Sequence, residues 1–237
     1  SLYLAMLNYL NPRDIIELKE SGVRLPPLVG SNIMAMDFFD SNCSIHEMTF
    51  DLIIGNPPWA AATGKRTEFE RWAKDNEYPI AARSIAQAFV WKAGAHVKEG
   101  GQITLLLPSN LLYNHSQKHL DFKKTWFRKF SINKIINLTD LRHFLFSEAV
   151  GPGIVVKYDK TVTNKSKHIV EYISPKAEPS LLKMELLPLA PQDVKAITLN
   201  SFIRDPLIWK KALWGTDRDR RLIERLEGYQ NLSNIIK

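Results

Sequence analysis

Four consecutive residues, Asn56-Pro57-Pro58-Trp59, set two hydrogen-bond acceptors, two rigid imino acids and a flat aromatic face directly after the apolar run Phe50-Asp51-Leu52-Ile53-Ile54-Gly55. Asn-Pro-Pro followed by an aromatic residue arises by chance in roughly 10⁻³ to 10⁻² of chains of this length, so the combination asks for a chemical reason. Pro57 has no N–H but keeps its carbonyl, and the Asn56 side chain adds a second acceptor beside it. Two acceptors and an aromatic plane suit a planar ring that carries an exocyclic amine. Such an amine is a poor nucleophile, because its lone pair is delocalised into the ring. Accepting hydrogen bonds from both amine protons drives the nitrogen toward tetrahedral geometry as an electrophile arrives, and this stabilises the developing charge without a strong base. A ring that belongs to a duplex must first be flipped out, at a cost of a few kcal/mol. Stacking on Trp59 recovers about 1 to 3 kcal/mol of that. The plainer alternative is a proline-rich turn with Trp59 packed on the core.

The elements that must hold these residues follow from periodicity. Residues 2 to 20 read as a helix restarted at Pro12, with Asn11 as its cap. A short strand is expected at Asn32 to Met36, ending in Asp37-Phe38-Phe39, and a second at residues 50 to 54. Residues 60 to 80 are polar, with Gly64-Lys65-Arg66 near their start, and lead into a short helix. Apolar residues then recur at helical spacing from Ala81 to Lys98, with Gly100-Gly101 as the expected stop. A buried strand is expected over Gln102 to Leu107, a helix over much of 116 to 130, and strands over Lys134 to Leu138 and Ile154 to Tyr158. The last two, joined without a long helix, suggest an antiparallel edge. The alternation predicts an α/β fold with a largely parallel, doubly wound sheet. In such sheets ligands bind at the carboxyl ends of strands, which is where Asn56 falls.

The tetrapeptide after a strand resembles motif IV of the S-adenosylmethionine-dependent amino-methyltransferases, particularly the DNA adenine-N6 branch found in restriction-modification systems. Further positions match the same family by order and spacing. Asp37 and Phe38 correspond to its motif III, where an acidic side chain and the next backbone N–H bind the adenine of the cofactor. Gly100-Gly101, the strand after it and Pro108-Ser109-Asn110 are similar to the family's fifth strand and its loop. Phe144 to Val156 is similar to motif VIII, and Phe146, better placed than Phe144, matches the aromatic that contacts the flipped base. The resemblance implies a Rossmann-like class I methyltransferase fold. It implies Asn56, Pro57, Pro58 and Trp59 as catalytic residues, Asp37 and Phe38 as cofactor-binding, and Trp59 and Phe146 as substrate-binding. The implied cofactor is S-adenosylmethionine and the implied partner is double-stranded DNA with a flipped adenine.

The family's Gly-rich first motif and its second strand have no counterpart here. The resemblance therefore implies a partial catalytic domain over residues 1–175, with the N-terminal strands missing. Residues 176–237 would be a linker and the beginning of a target-recognition region, where Trp209, Trp214 and the charged helix 217–227 face DNA. An upstream segment or partner subunit would complete the cofactor site, and the chain alone is expected to be inactive and to bind the cofactor weakly or not at all.

Two rivals stand beside this reading. Methyltransferases of RNA or of protein glutamine share Asn-Pro-Pro-aromatic, and a non-catalytic DNA-binding subunit would retain the fold without the cofactor half. The remaining composition is permissive. A formal charge of +7 fits a polyanionic partner. Cys43 is the sole cysteine, which excludes an internal disulfide, suggests a buried small residue and points to a reducing cytoplasm. No apolar run reaches the roughly 18 to 20 residues of a membrane span. His115 and His119 have helical metal-ligand spacing but no acidic partner between them, so no metal is expected and a solvated face is the reading. The Lys123-Lys124, Arg128-Lys129 and Lys65-Arg66 pairs suit phosphates or an ordinary charged surface.

Overall fold

A computed structural model describes residues 11–22, 29–30, 32–145, 151–161 and 168–229. The chain divides into two units, Ser1–Cys43 and Ser44–Lys237.

In the first unit Asn11 opens helix α1 (Pro12–Glu20) as its chemistry dictates. Its side chain accepts from the Asp14 N–H, and Asp14 accepts from the Asn11 N–H in return. Pro12 stands at the first turn, where a missing donor costs nothing. The strand expected at residues 32 to 36 does not form among the described residues; only an isolated bridge joins Val29 to Ile33. The run Asn32-Ile33-Met34-Ala35-Met36 has β-forming residues but no ladder partner, and Ile33 and Met36 stay exposed. Cys43 is buried, as its type suggests.

The second unit is built on a six-stranded sheet of β1 (Phe50–Gly55), β2 (Val97–Pro108), β3 (Ser131–Asn137), β4 (Gly153–Asp159), β5 (Ile169–Ile173) and β6 (Val194–Thr198), in the order β1-β2-β4-β3-β5-β6. β1 and β2 are parallel, as are β3 and β5. β4 runs antiparallel to both β2 and β3, and β6 antiparallel to β5. The antiparallel pair expected at the end of the sheet therefore exists, but β4 is inserted between two strands that run the other way. Both backbone edges of β4 are used: Gly153 to Asp159 pair along β2 on one side and Ile154 to Asp159 along β3 on the other.

Helices α2 (Glu68–Asp75), α3 (Ile85–His96) and α4 (Gln117–Lys129) connect the strands, and α5 (Leu199–Arg204), α6 (Ile208–Trp214) and α7 (Asp217–Glu227) follow β6. Helix α3 is apolar nearly all round and almost wholly buried, as a helix must be when every face is covered. Trp91 of α3 meets Phe122 of α4 edge-on at 5.3 Å, and the Tyr158 hydroxyl of β4 donates to the Val90 carbonyl at 3.0 Å. The glycine pair 100-101 does not end α3. The helix stops at His96 and β2 begins at Val97, with the register against β1 shifting between Phe50 and Leu52. Gly101 is required there for close approach, since a Cβ would lie 3.0 Å from the carbonyls of both Phe50 and Asp51.

Two expectations of a solvated surface fail. His119 is buried and its Nδ1 lies 2.8 Å from the Ser116 hydroxyl. Lys123 is fully buried, and its ammonium donates to the carbonyls of Leu112 at 2.7 Å and Asn114 at 2.9 Å. A long aliphatic stem and a target of loose carbonyls at the end of a helical turn make that burial tolerable. Trp209 likewise does not face outward: it is fully buried against Phe127, Phe202 and Tyr172. The side chain of Trp214 lies outside the described residues.

Candidate active site

β1 ends at Gly55, paired with Leu105 of the parallel β2, and the tetrapeptide begins at the next residue. Asn56 and Pro58 are exposed, Pro57 is buried and Trp59 is half-buried. The two prolines fix φ at successive positions, so the segment leaves the strand extended and cannot coil back. The Asn56 side chain makes no hydrogen bond to the described residues. Its amide is thus available to a ligand.

Trp59 is seated by two neighbouring strands. Its indole N–H points to the Leu106 carbonyl of β2 at 3.4 Å. Its ring also lies over the first residue of β4: a Cβ at Gly153 would come within 2.8 Å of the outer edge of the six-membered ring. Gly153 is therefore a required close approach, a role that its place in Gly151-Pro152-Gly153 did not disclose. The same end of the sheet is tied by Ser109 N–H donating to the Pro152 carbonyl at 2.9 Å and Leu138 N–H donating to the Gly153 carbonyl at 3.0 Å. Further along, Asn137 donates to the hydroxyls of both Tyr113 and Tyr172, which lie 2.9 Å apart. Burial pushes the Tyr113 hydroxyl up to about 12, so it stays a neutral donor.

The loop after Trp59 is pinned by a second constellation absent from the sequence reading. Arg83 donates to both carboxylate oxygens of Glu70, at 2.7 and 2.8 Å, and to the carbonyls of Gly64 and Lys65 at 3.0 and 2.9 Å. The Arg83 guanidinium, with the Thr67 backbone N–H and hydroxyl, pulls the Glu70 carboxyl down to about 2. Charge reciprocity between residues 13 apart in an unremarkable polar stretch leaves no pattern to read in advance.

Asp37 and Phe38 belong to the first unit. The Asp37 carboxylate accepts from the Phe39 N–H at 2.8 Å, which makes it a turn residue. Its second oxygen has no partner among the described residues, and Phe38 meets Phe39 edge-on at 5.7 Å. Phe146 lies outside the described residues; Phe144 is exposed. Among the described residues no group of three or more His, Cys, Asp or Glu side chains is arranged to hold a metal.

A mixed α/β sheet with the tetrapeptide at a strand's carboxyl end is the Rossmann-like fold of class I methyltransferases. Solved structures support that fold. A chain from a type I restriction-modification system superposes with a TM-score of 0.55 at 12% identity, over 93% of this chain and 51% of that one. The type I methyltransferase subunit from Streptococcus thermophilus gives 0.52 at 18% identity, over 71% and 39%. A modification subunit of a putative type I restriction enzyme from Vibrio vulnificus gives 0.50 at 13% identity, over 78% and 40%. This chain thus spans about half or less of the length of each. The family model for the Eco57I restriction-modification methylase matches residues 14–144, and the chain belongs to that family. The matched span contains Asp37, Phe38 and the whole tetrapeptide. No curated protein sequence matches the chain.

Proposed function

We propose that this protein takes part in transferring a methyl group from S-adenosylmethionine to the N6 amine of adenine in DNA, within a restriction-modification or phage-defence system. The observation that carries the reading is the free, exposed Asn56 amide at the carboxyl end of β1, followed by a buried proline and a seated tryptophan. In this reading the Asn56 side-chain oxygen and the Pro57 carbonyl accept the two amine protons and localise the nitrogen lone pair. Pro58 keeps the segment extended, and Trp59 stacks the flipped adenine, with Phe146 as a second aromatic contact. Asp37 and Phe38 would hold the adenine end of the cofactor, whose sulfonium supplies an electrophilic methyl group when bound. Residues 1–175 are assigned to the catalytic domain and 176–237 to the approach to target recognition. A further segment or subunit would complete the cofactor site, because no Gly-rich turn follows a strand among the described residues. No helix among the described residues is long and apolar enough to cross a membrane, and a cytoplasmic place of action is part of the proposal.

The relatives named above belong to restriction-modification systems, which favours DNA over RNA or a glutamine side chain as acceptor. Methyl transfer from labelled cofactor, offered DNA, RNA and a glutamine-bearing release factor in parallel by the product of the intact gene, tests the choice. Label in DNA alone is expected; label in RNA or protein alone contradicts it.

A further inference from the structure

The loop after Trp59 carries two adjacent cations, Lys65 and Arg66. Both are exposed, and neither side chain has a hydrogen bond or ion pair among the described residues. Exposed cations of this kind ordinarily ride on a loose backbone, which lets them move apart. Here the opposite is built. A third cation, Arg83, donates to the carbonyls of Gly64 and Lys65 and so fixes the backbone that carries the pair. The Ala62 N–H donates to the Arg83 carbonyl at 3.0 Å, and Ala61 bridges to Ser84. Two successive non-glycine residues at this clamp lie in the left-handed region, Ala82 at φ 49° and Arg83 at φ 53°. Each such residue costs on the order of 1 kcal/mol or more. The structure thus accepts both backbone strain and the crowding of positive charge to hold the backbone at Gly64 and Lys65 in place. Among the described residues only Glu70 offsets Arg83. Arg71 is paired with Glu68, so it adds nothing to the local excess.

We propose that Lys65 and Arg66 are a preorganised contact for the phosphate backbone of DNA, presented by the Arg83–Glu70 clamp. Two unpaired cations on a backbone pinned at Gly64 and Lys65, six and seven residues beyond the proposed stacking tryptophan, suit a polyanion that must stay in register while one base is flipped out. Phosphate contacts supply position and affinity, not sequence choice. The choice of DNA as the polyanion rests on the function proposed above; the clamp geometry does not.

The test is a fluorescence-anisotropy titration of a labelled DNA duplex with the chain over a range of KCl concentrations. Each phosphate neutralised contributes about 0.9 to the slope of log affinity against log salt. The Lys65→Ala/Arg66→Ala variant should therefore lose about 1.8 of the wild-type slope, and at moderate salt roughly tenfold in affinity per cation. Glu70→Ala separates clamp from charge. It raises the net positive charge, so simple attraction would tighten binding, whereas loss of the clamp should weaken it severalfold. An unchanged slope in the double variant, tighter binding by Glu70→Ala, or no salt-dependent binding by wild type would each overturn the proposal. Preference for an RNA duplex, with the same slope loss, would overturn it for DNA and assign the contact to RNA. No methyl transfer enters the measurement. A chain that binds through Lys65 and Arg66 yet belongs to an enzyme that never methylates DNA would defeat the functional reading and leave this one standing.

Discussion

At the scale of single residues the account depends on how Trp59 is held. The indole is fixed by the Leu106 carbonyl and by the absence of a side chain at Gly153. Gly153→Ala should push the ring off its seat and cost most of the stacking term of about 1 to 3 kcal/mol, or roughly 5- to 150-fold in methyl transfer. The change should be coupled to the size of the ring. In a Trp59→Phe background the atoms that face Gly153 are gone, so adding Gly153→Ala should then matter little. Equal losses in both backgrounds would show that Gly153 acts on the strand and not on Trp59. The tetrapeptide itself was legible in the sequence because its residue types are improbable together and each has a chemical use. Its seat was not, since a glycine that exists to admit a ring from 94 positions earlier looks like any turn glycine.

At the scale of elements, two buried or clamped charges make the connections sensitive to pH. Glu70 has its folded pKa drawn down from 4.5 to about 2 by Arg83 and Thr67. A depressed carboxyl stabilises the fold fully above its unfolded value and loses that contribution as pH falls through the folded one. Comparing wild type with Glu70→Gln in urea, the difference should be constant near neutrality and vanish toward pH 2. Arg83 is partly exposed, so solvent screening limits that difference to roughly 1 kcal/mol. Lys123 behaves in the opposite sense. Burial lowers its pKa to about 8 from 10.5, so between those values the unfolded chain binds more protons and stability rises with pH. In Lys123→Met the rise should be absent; a variant that keeps the wild-type slope would show that other groups produce it. Helices α1 and α4 and strand β1 were legible because capping residues and periodicity act locally. The burial of Lys123 and His119 was not, because a charged helix face reads as solvated until the tertiary neighbours are known. The strand expected at residues 32 to 36 failed for the same reason in reverse, its local propensity having no partner among the described residues.

At the scale of the whole molecule, the C-terminal region of the second unit is joined to the sheet. β6 pairs with β5, and Trp209 lies within ring contact of Phe127 on α4 and Tyr172 on β5. Trp209→Ala should cost about 3 to 5 kcal/mol and lower the midpoint of one cooperative transition of residues 44–237. An early transition that leaves the rest of the unit at its original midpoint would contradict that unity. The α/β class was legible from alternating elements. The place of β4 was not, because its neighbours β2 and β3 are chosen by backbone pairing between distant segments, which local pattern does not record. Asn56 follows the carboxyl end of β1, exposed and without a side-chain hydrogen bond among the described residues, and the proposed chemistry rests on it. The most direct test is therefore the N6-methyladenine content of DNA from cells that carry the intact gene, compared with cells that carry Asn56→Ala. The account predicts N6-methyladenine with the first and none with the second; equal amounts in both would contradict it.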